Sequence, residues 1–326
     1  MNIRKFVITM ISGILLIDKP EGVTSFEVVR RARKAFGIRK IGHLGTLDPM
    51  ATGLLPLCLL EATKLVPYLM PEPKVYRARV RLGVATDTQD ATGAVVARCE
   101  TLPTSEQIYQ AAAAFVGEVT QVPPMYSALH CQGERAYRRA RRGEAVDLPP
   151  RTVTIYELAV DEVAIPEFAM TVKCSQGTYV RTLAKDLGDA LGCGAHLAAL
   201  RRLAVGALRV EEALTLAALA ELAREELEQR IIPISRCLPG MRPVEVGLAE
   251  ARRLRQGQLL VRPANDFTDG EQVRVLADAE LVAVAQVKGL TPQAVLAPVR
   301  VFGRSEQDAV SSEQRCRAGV PPAAGA

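Results

Sequence analysis

The sequence predicts an α/β protein of the α+β kind: a mixed, largely antiparallel sheet with flanking helices, plus a small β-rich C-terminal domain. Strand-like segments outnumber helical ones and do not alternate regularly with them, which argues against a doubly wound parallel sheet. After Pro239 the chain changes to short strand-like segments around one helical segment. Its 326 residues, 48% hydrophobic and 24% charged, are enough for about two domains.

The elements of the first 240 residues are predicted from local patterns. A buried strand is predicted at GILLIDKP, and a helix at TSFEVVRRARKAFG with its cap at Thr24 or Ser25 and its end at Gly37. Residues 74–84, KVYRARVRLGV, largely alternate apolar with basic side chains and predict a half-buried strand with a positive outer face. We also predict a capped helix at LPTSEQIYQAAAAFVG, strands at RTVTIYELAV and FAMTVKCSQGTYV, a helix at RTLAKDLGDALG and a strand pair at AALRRLAVGALRV.

Changes in composition predict the domain boundaries. We expect an N-terminal extension at 1–10, a main domain at 11–240, the β-rich domain at 241–304 and a disordered tail at 305–326. The apolar run RKFVITMISGILLI is interrupted by polar residues and has no small-residue cleavage site, so a signal peptide is not expected. The run is also too short to span a membrane. A cytoplasmic protein is expected from the seven well-separated cysteines, which look like the reduced thiols of a cytosolic protein.

The composition argues against a metal or nucleotide cofactor. The seven cysteines stand at least 19 residues apart, unlike zinc ligands, and there are only three histidines. No phosphate-binding glycine loop of the G-x-x-x-x-G-K-[ST] type is present. The net charge of +5 is compatible with a nucleic-acid partner without establishing one. With no dedicated apolar interface pattern, a monomer is expected.

One carboxylate stands alone in the stretch KIGHLGTLDPMATGLLPLCL, residues 40–59. Its glycines allow tight turns or a close approach of the backbone, and Pro49 restricts Asp48 to extended conformations. A rigidly held carboxylate beside a tight loop suits nucleophilic or general-base chemistry. The spacing taken alone favours the alternative, an aspartate that forms a turn before proline.

Two further segments point to a planar, charged ligand. In CSQGTYVRTLAKDLG, Arg181 could keep a carboxylate ionised and Tyr179 could stack on a base; a core tyrosine and a solvated arginine are the alternative. The segment GERAYRRARRGE clusters arginines without acidic partners, which favours phosphate contacts over a solvated helix face. The arginines predicted to share that helical face are Arg135, Arg138, Arg139 and Arg142, with Arg141 at its border.

Five separated motifs resemble those of the bacterial TruB-type tRNA pseudouridine synthases, in the same order and spacing. They are GILLIDKPEGVTS, GHLGTLDPMATGLLPLCL, YRARVRLGVATDTQDATG, VPPMYSALHCQGERAYRRARRGE and GTYVRTLAKDLGDALGCGAHLAALRR. The resemblance covers residues 11–240 and is highly specific, because it rests on five motifs. Residues 241–304 resemble the PUA-like RNA-binding module of that family. The implied fold is the pseudouridine-synthase sheet followed by this module.

The resemblance implies roles for individual residues. Asp48, in the G-T-L-D-P motif, matches the catalytic aspartate. His43 matches a residue that packs into the tRNA loop and helps to hold its rearranged bases. Tyr76 matches the tyrosine that stacks on the target base.

The remaining matches surround the same base. Tyr179 and Arg181 match residues that line the uracil pocket, the arginine pairing with the catalytic carboxylate. Leu200 matches an apolar wall of the pocket. Lys19 and Pro20 match a K-P motif that supports the active-site loop.

The basic segment matches an insertion that clamps the RNA, from about Pro124 to Arg151. Arg138, Arg139, Arg141 and Arg142 are its expected backbone contacts.

The implied reaction converts the uridine at position 55, in the T loop of tRNA, to pseudouridine without a cofactor or a protein partner. The nucleotide would be flipped into the pocket, and Asp48 would attack the ribose or the uracil ring, or act as a base. A non-catalytic RNA-binding module and a hydrolase with an aspartate nucleophile are the alternatives from other classes. A glycosidase would need a second carboxylate, and a phosphatase of this kind a second acid where Met50 stands. A relative that uses guide RNA is a closer alternative, which the small C-terminal domain and the compact basic insertion argue against.

Overall fold

The computed structural model describes residues 12–69, 73–126, 130–131, 134–135, 148–264, 267–290 and 293–303, together with positions 139, 142 and 144. The N-terminal extension and the tail predicted for 1–10 and 305–326 lie outside these residues. Contacts divide the chain into two units. The larger unit holds residues 15–58 and the described part of 70–231, and the smaller unit holds the described residues of the remainder.

Within the described residues, the larger unit contains most of the strands and five α-helices. The strands are β1 (Gly13–Lys19, its first two residues in the smaller unit), β2 (Ile41–His43), β3 (Thr52–Leu59, its last residue in the smaller unit), β4 (Lys74–Leu82), β5 (Val84–Thr86), β6 (Val95–Arg98), β7 (Gly117–Gln121), β8 (His130–Cys131), β9 (Glu134–Arg135), β10 (Arg151–Ala164), β11 (Glu167–Cys174), β12 (Ala195–Val205), β13 (Leu208–Arg209) and β14 (Leu214–Thr215). The helices are α1 (Ser25–Phe36), α2 (Ser105–Ala113), α3 (Val180–Ala190), α4 (Leu216–Glu221) and α5 (Arg224–Gln229).

The main sheet has the strand order β14-β1-β3-β12-β4-β11-β10-β7. Every neighbouring pair from β12 to β7 is antiparallel, whereas β14 with β1 and β3 with β12 are parallel. The predicted mixed, largely antiparallel sheet is therefore confirmed. Strands β4, β11 and β12 form its centre, and their inward side chains are apolar and almost fully buried, as at Val80, Phe168 and Leu197.

Helix α1 begins and ends where the sequence predicts. The Thr24 side chain accepts a hydrogen bond from the Glu27 N–H at 3.0 Å, and Gly37 closes the helix in the left-handed conformation. Val28, Val29 and Phe36 are buried on one face. The cap is Thr24, which leaves Ser25 buried and able to bond elsewhere.

Strand β4 alternates as predicted, but its outer face is not an unpaired positive surface. The outer arginines Arg77 and Arg79 form ion pairs with Glu162, at 2.7 and 3.4 Å, and Arg81 pairs with Glu167 at 3.3 Å. These acids are distant from β4 in sequence: Glu167 lies on β11, the neighbour of β4 in the sheet, and Glu162 on β10, the next strand beyond it. The prediction of a positive face is wrong because cross-strand partners neutralise the arginines.

The smaller unit contains β15 (Ile232–Pro233), β16 (Arg242–Glu245), β17 (Leu260–Pro263), β18 (Gln272–Ala277), β19 (Glu280–Lys288), β20 (Gln293–Val301) and helix α6 (Leu248–Arg255). Its five-stranded sheet has the order β16-β18-β19-β20-β17. Leu65, from the segment Leu59–Leu69, packs there with Leu238 and Phe302. This segment extends the unit beyond the expected range 241–304. No helix in the described part of the chain is both long and apolar enough to span a membrane.

Candidate active site

The loop that carries Asp48 joins β2 to β3 and is fixed on both sides of the carboxylate. On one side, Leu47 donates its N–H to Ser25 Oγ at 2.9 Å, and that hydroxyl donates to the Leu47 carbonyl at 3.0 Å. On the other, Lys19 Nζ donates to the Pro49 carbonyl at 3.2 Å, and so does the Gly22 N–H at 2.8 Å. The loop is therefore held rigidly around its carboxylate.

Two glycines, Gly45 in this loop and Gly53 at the start of β3, allow a close approach by β12 and β4. Gly53 has φ +98°, and a Cβ there would lie 2.3 Å from the carbonyl oxygen of Arg202. Gly45 has φ +82°, and a Cβ there would contact Arg202 Nη1 and Lys74 Nζ, both at 3.4 Å. Larger residues would be strained at both positions. Gly53 thus makes room for the backbone of β12 at Arg202, and Gly45 for the cationic side chains of Arg202 and Lys74.

Arg181 lies beside the Asp48 carboxylate, as the resemblance implies. Its Nε is 2.9 Å from Asp48 Oδ2, and its side chain is 4% exposed, against 36% for that of Asp48. The N–H of Nε does not point along the line to the oxygen, so the contact is an ion pair without a directed hydrogen bond. The arginine is buried, while the carboxylate faces open space.

A second carboxylate, missed by the sequence analysis, lies on the other side of Arg181. Asp90 Oδ2 is 3.5 Å from Arg181 Nη1, and its side chain is 5% exposed. Its other oxygen, Oδ1, accepts hydrogen bonds from the hydroxyls of Thr88 and Thr92, at 2.7 and 2.6 Å, and from the Thr92 N–H at 3.0 Å. The motif DTQDATG contained this residue, but its pattern resembles an ordinary turn.

Backbone carbonyls hold the remaining nitrogens of the same guanidinium. Arg181 Nη1 donates to the Thr88 carbonyl at 3.1 Å, and Nη2 donates to the Tyr126 carbonyl at 2.8 Å. The arginine is therefore oriented independently of Asp48. Its position therefore does not depend on that of the carboxylate.

Opposing effects act on the protonation of Asp48. Removal of water by the surrounding protein raises the pKa of this carboxyl, the positive charges of Arg181 and Lys19 lower it, and the charge of Asp90 raises it further. The net effect is a raised pKa. The pKa of Lys19, which is fully buried, is lowered to about 8 by burial, against the raising effect of Asp48 and Glu21. Lys19 also donates to the carbonyls of Pro20 and Val23, at 2.9 and 2.7 Å.

Apolar and aromatic side chains from three elements face the Asp48 loop. Tyr76 on β4 and Leu200 on β12 are 7% and 8% exposed, and Tyr179 immediately precedes helix α3. The β4–β12 register places Tyr76 opposite Arg202. Burial raises the pKa of the Tyr76 hydroxyl, and the neighbouring Arg202 opposes this rise.

These side chains enclose a cavity of about 230 Å³. The volume is that of roughly eight water molecules at about 30 Å³ each, which suits one pyrimidine base. Its lining is Gly45, Thr46, Leu47, Asp48, Lys74, Tyr76, Gly177, Thr178, Tyr179, Val180, Arg181, Leu200 and Arg202. One carboxylate and three cations thus face the cavity, which favours a ligand with both a planar ring and negative charge.

Five of the residues matched by the resemblance line the cavity: Asp48, Tyr76, Tyr179, Arg181 and Leu200. Lys19 and Pro20 lie behind the loop, where Lys19 bonds to carbonyls on both sides of the turn. His43 ends β2 and is not among the lining residues.

Two cations of the lining, Lys74 and Arg202, were missed. A sequence signal existed for both, because alternation along a strand places Lys74 on the same face as Tyr76, and Arg202 on the same face as Leu200. Arg202 is 1% exposed and donates to the Leu54 and Gly45 carbonyls, at 2.7 and 3.1 Å.

The arginine cluster differs from the prediction in two respects. Arg135 lies in strand β9 and therefore does not share a helical face with the others. Arg139 and Arg142 both form ion pairs with Glu144, at 2.8 and 2.6 Å, so the expected absence of acidic partners is wrong. Arg138 and Arg141 lie outside the described residues. Glu144 stands only two residues after Arg142. Its ion pairs depend on a turn that the prediction of a continuous helix did not include.

Family models match most of the larger unit. Residues 33–180 match the TruB family pseudouridylate synthase (N terminal domain), and residues 181–245 match the tRNA pseudouridylate synthase B C-terminal domain. A tRNA pseudouridine synthase B from Burkholderia pseudomallei (strain 668) is 45% identical over 298 residues, covering 89% of this chain and 97% of that one. The enzyme of the same name from Syntrophus aciditrophicus (strain SB) is 41% identical over 300 residues, covering 92% and 94%.

Solved structures share the fold at lower identity. A structure of an H/ACA RNP bound to a substrate RNA containing 2′-deoxyuridine matches with a TM-score of 0.69 and 26% identity, covering 90% of this chain and 86% of that one. A Cbf5-Nop10-Gar1 complex matches with a TM-score of 0.67 and 28% identity, covering 89% and 84%. The fold and the site define a pseudouridine synthase. The chain belongs to the TruB family of pseudouridylate synthases, and the predicted family is confirmed.

Proposed function

We propose that this protein is a tRNA pseudouridine synthase that acts on the uridine at position 55 in the T loop. The observation that supports it most directly is the Asp48–Arg181 ion pair at the edge of a cavity of base size, between Tyr76 and Tyr179. Curated relatives of 41–45% identity carry the name tRNA pseudouridine synthase B. A tRNA substrate places the reaction in the cytoplasm.

The reaction requires that one bond be exchanged for another on the same nucleotide. The bond between ribose C1′ and uracil N1 breaks, the base turns, and a bond forms between C1′ and C5. The proton on C5 is lost and N1 gains one, so the composition of the RNA is unchanged. A base in a folded loop must first be flipped out of its stack, and an unpaired loop base costs least to flip.

The residues of the site divide this work. The Asp48 carboxylate initiates cleavage as nucleophile or base, and only its ionised form can do so. Arg181 and Lys19 favour that ionised form against the loss of water. Tyr76 and Tyr179 provide faces for stacking, and Leu200 an apolar wall. Because all these residues come from one chain, a monomer is sufficient for the proposed chemistry.

Surfaces outside the cavity are assigned to RNA affinity. We assign residues 241–303 and the segment around Arg139 and Arg142 to binding, because none of their described side chains lines the cavity. Within this assignment, His43 lies outside the cavity and contacts the tRNA loop from which the nucleotide is flipped.

The decisive experiment maps pseudouridine in an unmodified tRNA transcript after incubation with purified protein. Wild type should modify position 55, and Asp48→Asn should bind the transcript normally without making product, because an amide is neither nucleophile nor base. Asp186→Asn is a matched control, since burial also raises the pKa of that carboxyl but it does not line the cavity. It should retain activity.

Two results would overturn the proposal. Product formation by Asp48→Asn at a substantial rate would reduce Asp48 to a turn former. Wild-type modification of a transcript at another uridine, with position 55 untouched, would refute the substrate site while leaving the family chemistry intact.

A further inference from the structure

A side-chain amide from a distant strand holds the backbone of Tyr179. Gln121, the last residue of β7, is 1% exposed. The Tyr179 N–H donates to Gln121 Oε1 at 3.0 Å, and Gln121 Nε2 donates to the Tyr179 carbonyl at 3.2 Å. The amide therefore makes the same pair of bonds that a neighbouring antiparallel strand would make.

The position of these two bonds matters because Tyr179 stands where extended chain becomes helix. Its backbone is extended, with φ −99° and ψ 107°, and no side chain caps the helix that starts at Val180. The Tyr179 carbonyl also accepts the Leu183 N–H at 3.0 Å. The backbone at Tyr179 sets the direction of its ring, whereas Arg181 is held separately by the Thr88 and Tyr126 carbonyls.

A second side chain fixes the ring itself. Arg151, the first residue of β10, lies opposite Gln121 in the β7–β10 register. Its guanidinium carbon is 5.6 Å from the centre of the Tyr179 ring, a cation–π distance. Its Nη1 would be 3.3 Å from a Cβ at Gly177, so the glycine makes room for it. One cross-strand pair therefore holds both the backbone and the ring of Tyr179.

We propose that Gln121, supported by Arg151, is a positioning residue that acts through Tyr179 on the flipped base. The proposal rests on the role in the uracil pocket proposed above for Tyr179. A buried amide must be hydrogen-bonded to be tolerated, and here both bonds are made to a residue that lines the cavity. A shift of about 1 Å at such a site can reduce a rate about a hundredfold.

The test compares Gln121→Met with a variant of the same strand pair at a residue whose side chain cannot hydrogen-bond to Tyr179. Val153, on β10 opposite Val119 of β7, is 3% exposed, so Val153→Ala destabilises the same pair. Single-turnover rates are measured at saturating tRNA and well below the unfolding temperature. Gln121→Met should lose about 10- to 100-fold in rate, with tRNA affinity nearly unchanged, and Val153→Ala should keep the wild-type rate.

A double-variant cycle shows whether the effect passes through Tyr179. The rate loss caused by Gln121→Met should be much smaller in a Tyr179→Leu background than in the wild type. If Gln121→Met does not fold, Gln121→Asn takes its place, because it keeps an amide that is too short to make both bonds. An equal loss in both backgrounds, or equal losses in the Gln121 and Val153 variants, would reduce Gln121 to a purely structural residue.

The same set of proteins separates this inference from the proposed site. A Tyr179→Leu protein with the wild-type rate would refute the role of Tyr179 itself. A slow Tyr179→Leu protein beside a fully active Gln121 variant would refute only the inference about Gln121.

Discussion

Replacing Arg181 with methionine tests how a buried cation helps to keep a partly buried carboxylate ionised. The arginine side chain is 4% exposed and forms ion pairs with Asp48 and Asp90, at 2.9 and 3.5 Å. It also donates to the carbonyls of Thr88 and Tyr126. Methionine is an unbranched apolar side chain that fills part of the same space but offers neither charge nor donors, so both carboxylates and both carbonyls lose a partner.

The expected cost follows from this burial. Removal of one partner of a buried ion pair costs about 3–5 kcal/mol, because the remaining charge is uncompensated. Asp90 is the buried partner of this guanidinium, whereas the Asp48 side chain is 36% exposed and is partly screened by water, so we expect the lower end of this range, about 3 kcal/mol. At about 2–4 °C per kcal/mol for a domain of 150–250 residues, the melting temperature should fall by about 6–12 °C.

A second substitution identifies how much of this cost comes from Asp48. Because the pKa of Asp48 is raised, the Asp48 carboxyl group binds its proton more tightly in the folded protein than in the unfolded chain. Stability therefore decreases as the pH rises from the ordinary value of 3.8 through the raised pKa. At neutral pH, Asp48→Asn should be at least as stable as the wild type. Adding it to Arg181→Met should recover part of the lost stability.

Thermal unfolding and single-turnover kinetics at saturating tRNA provide the two readouts. Arg201→Met is the matched control, because Arg201 bonds to both oxygens of Asp18, at 3.0 and 2.8 Å, but its side chain is 40% exposed. It should cost only about 0–1 kcal/mol. Arg181→Met should also lose about a hundredfold in rate at a temperature where it remains folded. An Arg181→Met protein as stable and active as the Arg201→Met control would show that Asp48 needs no buried partner.

Two other predictions concern charges outside this pair. The pKa of Lys19 is lowered from an ordinary 10.5 to about 8. As the pH rises, the ammonium group therefore loses its proton at a lower pH in the folded protein than in the unfolded chain, and the free energy of unfolding should rise between these two values. The stability of the wild type relative to Lys19→Met should therefore increase from about pH 7 to about pH 9.5 in thermal unfolding; a constant difference would contradict the lowered pKa. Replacing Arg139 and Arg142 with glutamine should weaken binding to all tRNAs alike and flatten the salt dependence of affinity. An unchanged slope of affinity against salt would mean that these arginines form ion pairs with Glu144 but do not contact RNA phosphates.

The local sequence pattern was sufficient to predict the strands and helices that position the site. Alternation along β4 predicted its inward face, and the cap and stop residues predicted α1, because both signals arise from neighbours within a few residues. The loop around Asp48 could likewise be predicted to be rigid from its glycines and Pro49. Its catalytic interpretation depended on the resemblance of several motifs, since the spacing of the loop alone favours an ordinary turn.

The sequence by itself thus determined the order of the elements, the family and the lone carboxylate in its rigid loop. Only the tertiary structure decided which polar and charged groups lie in contact. Asp90 stands 91 residues from Arg181, and Gln121 stands 58 residues from Tyr179, yet each pair is in direct contact. A strand pattern reports which face of the sheet a side chain occupies, but not the register with strands distant in the chain. That register pairs the outer arginines of β4 with acids and places Arg202 opposite Tyr76.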